Sequence, residues 1–384
     1  MRQKDPSIHS QDDGVDATSD RRSASQCDRW SATHCDADRL RVAISDPIGA
    51  AEMLKSKYVS TAWGRVLREK FDALYRRHLA RLTTLKSGSS SSALLEGAML
   101  CVVGESSAGK STTIEKTFDG YPEFQGHHAI ENGANLLSIR APASCTPLRL
   151  ATTLLDSLGY PVRGRVEEHR QWEEVHRRLQ ERGVRVLHVD EMQHTSHVAN
   201  VKEVLRLGAS LKGLLVHPRW PVLLVVSGVP KLAEFVRAYP ELDRRTTYCR
   251  IPDLTLGEAD EFTRITRRIC ERVGLRLNVH GCLEFGERLI VAANHQFGGV
   301  VEWTIDAIEV ALLRLHDAEP SAAHAVDVMD FAAAYSRRRD CDRGDNVFLV
   351  PNWPAWLARR DEERRLAAAL EGKASSALRR SKQK

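Results

Sequence analysis

The sequence predicts an α/β fold: a parallel sheet flanked by helices, with a phosphate-gripping loop, followed by a helical lid. Three observations predict it. An apolar run, "AMLCVV" (98–103), leads directly into the glycine-rich string "GESSAGKS" (104–111). Short apolar runs and amphipathic helical stretches then alternate as far as about residue 254. Beyond that point the apolar period turns helical. Strands that alternate with helices pair in parallel and are covered on both faces.

The chain has 384 residues, of which 42% are hydrophobic, enough for a large core divided over two or three units. Fifty-six Lys and Arg face 51 Asp and Glu, a net charge of +5, too mild to identify a nucleic-acid binder by itself. No apolar run approaches the roughly 18 residues that read as a membrane span. The first residues, "MRQKDPSIHSQDDG", have no apolar stretch of the kind a secretory signal carries. The eight cysteines show no repeating spacing, and Cys101, Cys249 and Cys270 fall inside predicted strands or helices. They are expected as reduced thiols of a cytoplasmic protein.

Residues 1–45, with eight acids against seven bases and few apolar residues, are expected as a disordered arm. Within it, Cys27, His34 and Cys35 match no zinc spacing and lack a fourth ligand. Residues 46–92 form a helical segment and linker: Phe71, Leu74, Tyr75, Leu79 and Leu82 recur at helical steps, and "KSGSSSS" ends the pattern. The core is expected over 93–253. Its first strand is 98–103; the second is "ANLLSIRAP" (134–142). "TPLRLATTLLDSLG" follows as a helix with Thr146 as N-cap, Pro147 at the first position and Gly159 as the stop. A helix over 166–183 precedes the third strand, "VRVLHVDE" (184–191); a helix over 201–215 precedes the fourth, "PVLLVVSG" (221–228). "YCRIPDL" (248–254) is a short fifth. A helical lid is expected over 254–340, without strands; its first helix carries Phe262, Ile265, Ile269 and Val273 as a stripe and stops at Gly274. Residues 341–384 form a basic tail; from 355 onward it holds nine basic and four acidic residues.

The string 104–111 fits G-x-x-x-x-G-K-[ST] between a strand and a helix, which is where the chemistry requires it. Glycines let the backbone curl so that N–H groups face an anion, and the following helix adds its positive end. Gly104, Glu105, Ser106, Ser107, Ala108, Gly109, Lys110, Ser111 and Thr112 are the expected ATP-binding set. Lys110 reaches the β- and γ-phosphates, and Ser111 holds Mg²⁺. The third strand ends in Asp190–Glu191, adjacent acids that are costly at the end of a buried strand. Asp190 is assigned to the Mg²⁺ shell and Glu191 to the attacking water as its base. A plain N-cap for the next helix is the structural alternative. Ser227, at the end of the fourth strand, either faces the γ-phosphate or caps the helix that begins near Pro230.

Arg244 and Arg245 stand just before the fifth strand. In ring-forming ATPases an arginine placed there reaches a neighbouring subunit's γ-phosphate; the alternative here is a solvated pair, and the reading leans to Arg245. His188, His194 and His197 are read as one hydrogen-bonded core histidine and two loop residues rather than a zinc site. The basic tail and the Arg65–Arg81 helix are candidates to lie along phosphates, against the alternative of a solvated face.

Taken together, these segments resemble the AAA+ ATPases that assist DNA transposases, the TniB/TnsC family. The resemblance rests on "VVGESSAGKSTTIEKTF", "LHVDEMQH", "LKGLLVHPRWPVLLVVSGVPKL" and "ELDRRTTYCRIPDL", and extends over about 57–315. Gly104, Lys110, Ser111, Asp190, Glu191 and Ser227 fall on its motif positions; Arg244 and Arg245 fall near its finger position. One departure stands out. The stretch that matches the start of a lid helix, "FGGVVEW" (297–303), holds no arginine. The resemblance implies a Mg²⁺-dependent ATPase that assembles into rings or filaments on duplex target DNA, without sequence preference, and recruits or activates a transposase. The competing readings are a P-loop signalling or defence switch that does not act on DNA, a small-molecule kinase, and a slow ATP-gated DNA coat.

Overall fold

A computed structural model describes residues 36–86, 96–126, 135–192, 201–317 and 324–366. Five strands, β1 (Met99–Val103), β2 (Leu136–Arg140), β3 (Val186–Asp190), β4 (Leu223–Gly228) and β5 (Thr246–Arg250), form one sheet in the order β2-β3-β4-β1-β5. All pairings are parallel. β4 therefore lies between the P-loop strand and the strand that carries the acids, the inserted-strand arrangement of AAA+ proteins. All five residues of β1 and of β3 are buried. Alternation sends Met99, Cys101 and Val103 into one core and Leu100 and Val102 into the other.

The helices before the sheet divide their attachments. α1 (Asp36–Ser45) and α2 (Pro47–Lys55) pack with the lid, and α3 (Ala62–Lys86) packs on the sheet. α3 and α4 (Lys110–Phe118) cover the face of Leu100 and Val102 through Leu67, Phe71, Tyr75, Ile114 and Phe118. The inward stripe of α3 runs Phe71, Leu74, Tyr75, His78 and Leu82, whereas Leu79 is 39% exposed. A histidine takes the place in the stripe expected of that leucine, because 71, 74, 75, 78 and 82 share the face and 79 has turned past it. The opposite face is covered by α5 (Pro147–Ser157), α6 (Glu168–Glu181), α7 (Val201–Leu215) and α8 (Lys231–Arg237), followed by the short α9 (Pro240–Asp243). Thr146 caps α5, accepting from Arg149 N at 3.3 Å, and Gly159 ends the segment at φ +81°.

The lid contains α10 (Ala259–Glu271), α11 (Phe285–Ala292), α12 (Phe297–His316) and α13 (Val328–Arg339). Three expectations are corrected here. First, the lid has strands: β6 (Arg276–Asn278) and β7 (Ala325–Asp327) pair in parallel, and Asp327 then caps α13 by accepting from Met329 N at 2.8 Å and Asp330 N at 3.2 Å. Second, the arm expected over 1–45 includes α1, whose Leu40 and Ala43 are buried in the lid core. An apolar face at 40, 43 and 44 suffices in an otherwise polar stretch. Third, the tail expected from 341 begins as part of the lid. Val347, Phe348, Val350, Trp353 and Trp356 are buried, and a helix over 353–366, α14, follows. Arg288 holds this segment through Val347 O at 2.9 Å and Val350 O at 3.1 Å. Among the described residues no helix is long and apolar enough to cross a membrane.

Candidate nucleotide site

β1 delivers the chain to the carboxyl edge of the sheet, where open α/β sheets place their ligands. The loop reverses there into α4. Gly109 is the N-cap of α4 at φ +85°, a left-handed conformation that a side chain would strain, and no side chain caps the helix. Its first-turn N–H groups are thus available to an anion. Lys110 is only 6% exposed. Its ammonium donates to Gly104 O at 2.9 Å and Glu105 O at 2.8 Å. Burial holds its pKa below the ordinary lysine range, opposed by the charges of Glu191, Asp190 and Glu105. A buried cation that is bonded to carbonyls rather than to a carboxylate, beside an uncapped helix start, fits the phosphates of a nucleotide.

Asp190 sits at the same edge, 8% exposed. Ser111 Oγ donates to its Oδ2 at 2.6 Å. Ser227 Oγ donates to Oδ1, and the Glu191 amide donates to Oδ1 at 2.9 Å. Burial pushes the Asp190 pKa up, but the hydrogen bonds from Ser111 and Ser227, the His188 ring and the Glu191 amide together hold it below the ordinary value. An ionised carboxylate and a serine hydroxyl in contact are the donor set that fits Mg²⁺ next to a triphosphate. Glu191 borders the same cavity at φ +59°, a left-handed turn of a kind that clusters at functional sites. The alternative for Ser227 as a helix cap is ruled out: it is fully buried and bonded to Asp190, and Pro230 occupies the N-cap of α8. Of the three histidines, His188 is a hydrogen-bonded core residue, as read; His194 and His197, like Cys27, His34 and Cys35, lie outside the described residues.

The cavity itself measures about 540 Å³ and is walled by the P-loop, by Glu191, by α12 and by the segment around Lys55–Val59. α12 starts against the loop. A Cβ on Gly298 would lie 2.4 Å from Ser107 O, so only glycine permits this approach. Sequence reasoning missed three basic residues at the cavity, Lys55, Lys57 and Arg338. Arg338 comes from the end of α13, not from the start of α12, where an arginine was sought. It pairs with Asp306 at 3.0 Å and Glu302 at 3.1 Å on α12. The available signal was the "RRR" ending α13, one helical hairpin away from "VEWTID".

Arg244 and Arg245 lie at the opposite, amino edge of the sheet, before β5, and therefore cannot serve the P-loop of their own chain. Both reach Glu96, Arg245 at 2.5 Å and Arg244 at 3.0 Å. Arg245 has a side chain only 6% exposed and also donates to Glu241 O at 2.5 Å, while that of Arg244 is 62% exposed. Of the two guanidinium groups, that of Arg244 is presented at the surface and that of Arg245 is buried.

No curated protein matches the sequence. Solved structures similar to it include the ORC2 protein of Aeropyrum pernix in ADPNP–ADP complexes, 18% identical, with 71% of this chain and 68% of that one covered and a TM-score of 0.43. Cdc6p of Pyrobaculum aerophilum is 13% identical over 74% of this chain and 70% of its own, with a TM-score of 0.44. The Aeropyrum pernix ORC1 protein in complex with DNA is 14% identical over 79% and 69%, with a TM-score of 0.44. Residues 67–255 match the profile of the family described as bacterial TniB protein. That stretch, just under half of the chain, includes the P-loop, the Asp190–Glu191 strand end, Ser227 and both arginines, and over it the chain is similar to the TniB family.

Proposed function

We propose that this protein is a Mg²⁺-dependent ATPase that times DNA transposition. Subunits carrying ATP assemble as a ring or filament on duplex target DNA, without sequence preference, and recruit or activate a transposase; hydrolysis dissolves the assembly. The setting is the cytoplasm. The observation that carries this reading is the meeting of Ser111, Asp190 and Ser227 beside a P-loop whose Lys110 donates to the carbonyls of Gly104 and Glu105 and has no carboxylate partner among the described residues, within the stretch that matches TniB.

Each residue has a distinct task. The amides of 105–112 and Lys110 bind the β- and γ-phosphates. Ser111 and Asp190 would hold Mg²⁺, which would supply charge neutralisation for the transferring phosphoryl group. Glu191 orients the attacking water and takes its proton. Ser227 supports Asp190 and faces the γ-phosphate. Arg244 reaches a neighbouring subunit, so that turnover requires assembly. The exposed bases of the Arg65–Arg81 helix and of the tail supply phosphate contacts that weaken with salt.

Glu191→Gln tests the reading. The variant should bind ATP, turn it over about 10² to 10⁴ times more slowly, and remain on duplex DNA in larger, longer-lived assemblies by fluorescence anisotropy and sedimentation. Ordinary turnover would remove Glu191 as the base. A wild-type chain whose binding to DNA ignores both ATP and salt would favour the signalling switch.

A further inference from the structure

We propose that His188 is a positioning residue of the ATPase site, acting through Ser227 on Asp190. The inference rests on the reading of Ser227 and Asp190 given above and adds to it a group that neither the P-loop motif nor the acidic pair contains.

The placement comes from the strand period. Val186, His188 and Asp190 project from β3 to the same face, the one covered by α3 and α4, where Val186 belongs to the apolar core. An imidazole at the middle position, 2% exposed, interrupts a stripe that packing alone would fill with an aliphatic residue. It is tolerated because both ring nitrogens are used. Ser138 is the register partner of His188 on β2, and its Oγ lies 2.8 Å from Nδ1. On the other side Val225 is the partner on β4; Ser227, two residues further along the same face, places Oγ 3.0 Å from Nε2. The ring of Phe118, from the helix that follows the P-loop, closes over the imidazole edge-on at 5.5 Å.

Proton counting gives the chain a direction. Asp190 is an acceptor when ionised, so the one hydroxyl proton of Ser227 goes to its Oδ1. Ser227 Oγ can then only accept from the ring, and Nε2 must carry a hydrogen. In the neutral ring Nδ1 is the acceptor, and Ser138 donates to it. The relay thus runs Ser138, His188, Ser227, Asp190, with Ser111 donating to the far carboxylate oxygen. It crosses three adjacent strands and ends on the two residues assigned to the metal. Its effect is to point the Ser227 hydroxyl at Asp190 and to keep Oδ2 turned towards Ser111. Its hydrogen bonds run to Asp190, whereas Lys110, which with the loop amides supplies most of the phosphate affinity, donates to Gly104 O and Glu105 O. Loss of the relay should therefore slow turnover while leaving nucleotide affinity nearly intact.

The test uses the full chain. His188→Leu removes both hydrogen bonds and keeps the packing against Phe118; His188→Gln keeps a donor towards Ser227. We expect kcat to fall about 10- to 100-fold in His188→Leu, with the Kd for ATP changed less than about threefold, and most of the rate to return in His188→Gln. In a double-mutant cycle, His188→Leu with Ser227→Ala should be no slower than Ser227→Ala alone, within about twofold. Multiplicative losses, or a loss of ATP affinity equal to the loss of rate, would overturn the proposal. An independent measurement needs no turnover. In chains labelled with ¹⁵N-histidine, the ring signal that vanishes in His188→Gln should show a protonated Nε2 and an unprotonated Nδ1; the reverse tautomer would overturn the relay. A wild-type chain that binds ATP but never hydrolyses it would defeat the function proposed above, while the tautomer would still decide the relay.

Discussion

Gly298 offers the sharpest test of how the lid meets the nucleotide. Replacing it with alanine adds one methyl group that would lie 2.4 Å from Ser107 O and 3.1 Å from Ser107 C, both backbone atoms of the P-loop. The first distance is roughly 1 Å short of an ordinary carbon–oxygen contact, and a backbone atom cannot swing aside as a side-chain tip can. Either the loop deforms or α12 retreats. Overpacking of this kind costs about 1–3 kcal/mol, and in a unit of this size each kcal/mol lowers Tm by about 2–4 °C. Because the same contact walls the cavity, ATP affinity should weaken by about 5- to 150-fold for the same free energy. Gly344→Ala is the control: no atom lies within 4 Å of its Cβ, and its stability should change by less than about 0.5 kcal/mol. Thermal unfolding and titration with a fluorescent ATP analogue read both quantities. A Gly298→Ala protein with wild-type Tm and wild-type affinity would mean that α12 does not rest on the P-loop.

Other outcomes follow from the charged groups. Arg245→Ala should destabilise by about 1–3 kcal/mol, since it removes a buried partner of Glu96, whereas Arg244→Ala should leave urea unfolding within about 0.5 kcal/mol and lower assembly-dependent turnover by about 10³; the opposite pattern would return the trans role to Arg245. Arg338→Ala should weaken ATP binding only about two- to fivefold by equilibrium titration, because Glu302 and Asp306 already compete for the guanidinium. His78 is held neutral: burial, with help from Arg185 and Arg81, lowers its pKa from 6.5 to about 4. The unfolded chain then binds the extra proton first, so stability is present above pH 6.5 and is lost as pH falls towards about 4, on the order of 3 kcal/mol in all. In His78→Leu, urea unfolding between these pH values should lose that component of its slope.

The parts of this molecule that are local in sequence were legible in it. The P-loop, the Asp190–Glu191 strand end, the Thr146 cap and the alternation of strands and helices each depend on residues a few positions apart. What was not legible depends on where distant segments meet. Gly298 looks like one of two adjacent glycines in a helical stretch; its reason is a loop almost 200 residues earlier in the chain. Arg338 was invisible as a cavity residue because it comes from a different helix than the motif anticipates. Val347, Phe348 and Val350 are too short an apolar run to declare a core, and they are held by Arg288 from α11. The choice between Arg244 and Arg245 is one of burial, and the two are chemically identical in sequence.

The path of the chain ties the lid to the core twice. After β5 it enters the lid through 251–258, as expected for a lid that follows a sheet. Before the sheet it makes a second crossing: α2 lies against α12, whereas α3 lies against β1, β4 and β5. The six residues between them, 56–61, include Lys57, Tyr58 and Val59, which wall the nucleotide cavity. Trp63, at the start of α3, stands 3.6 Å from where a Cβ of Gly109 would be. A lid held by one covalent link can rotate freely about it; a second link restricts the motion to an axis near both. Both crossings lie at the carboxyl edge of the sheet, where the P-loop, Gly298 and Arg338 also lie. Because the linker, α12 and Arg338 all wall the cavity, and Gly298 abuts the P-loop, a change in the orientation of the lid alters the cavity's walls directly.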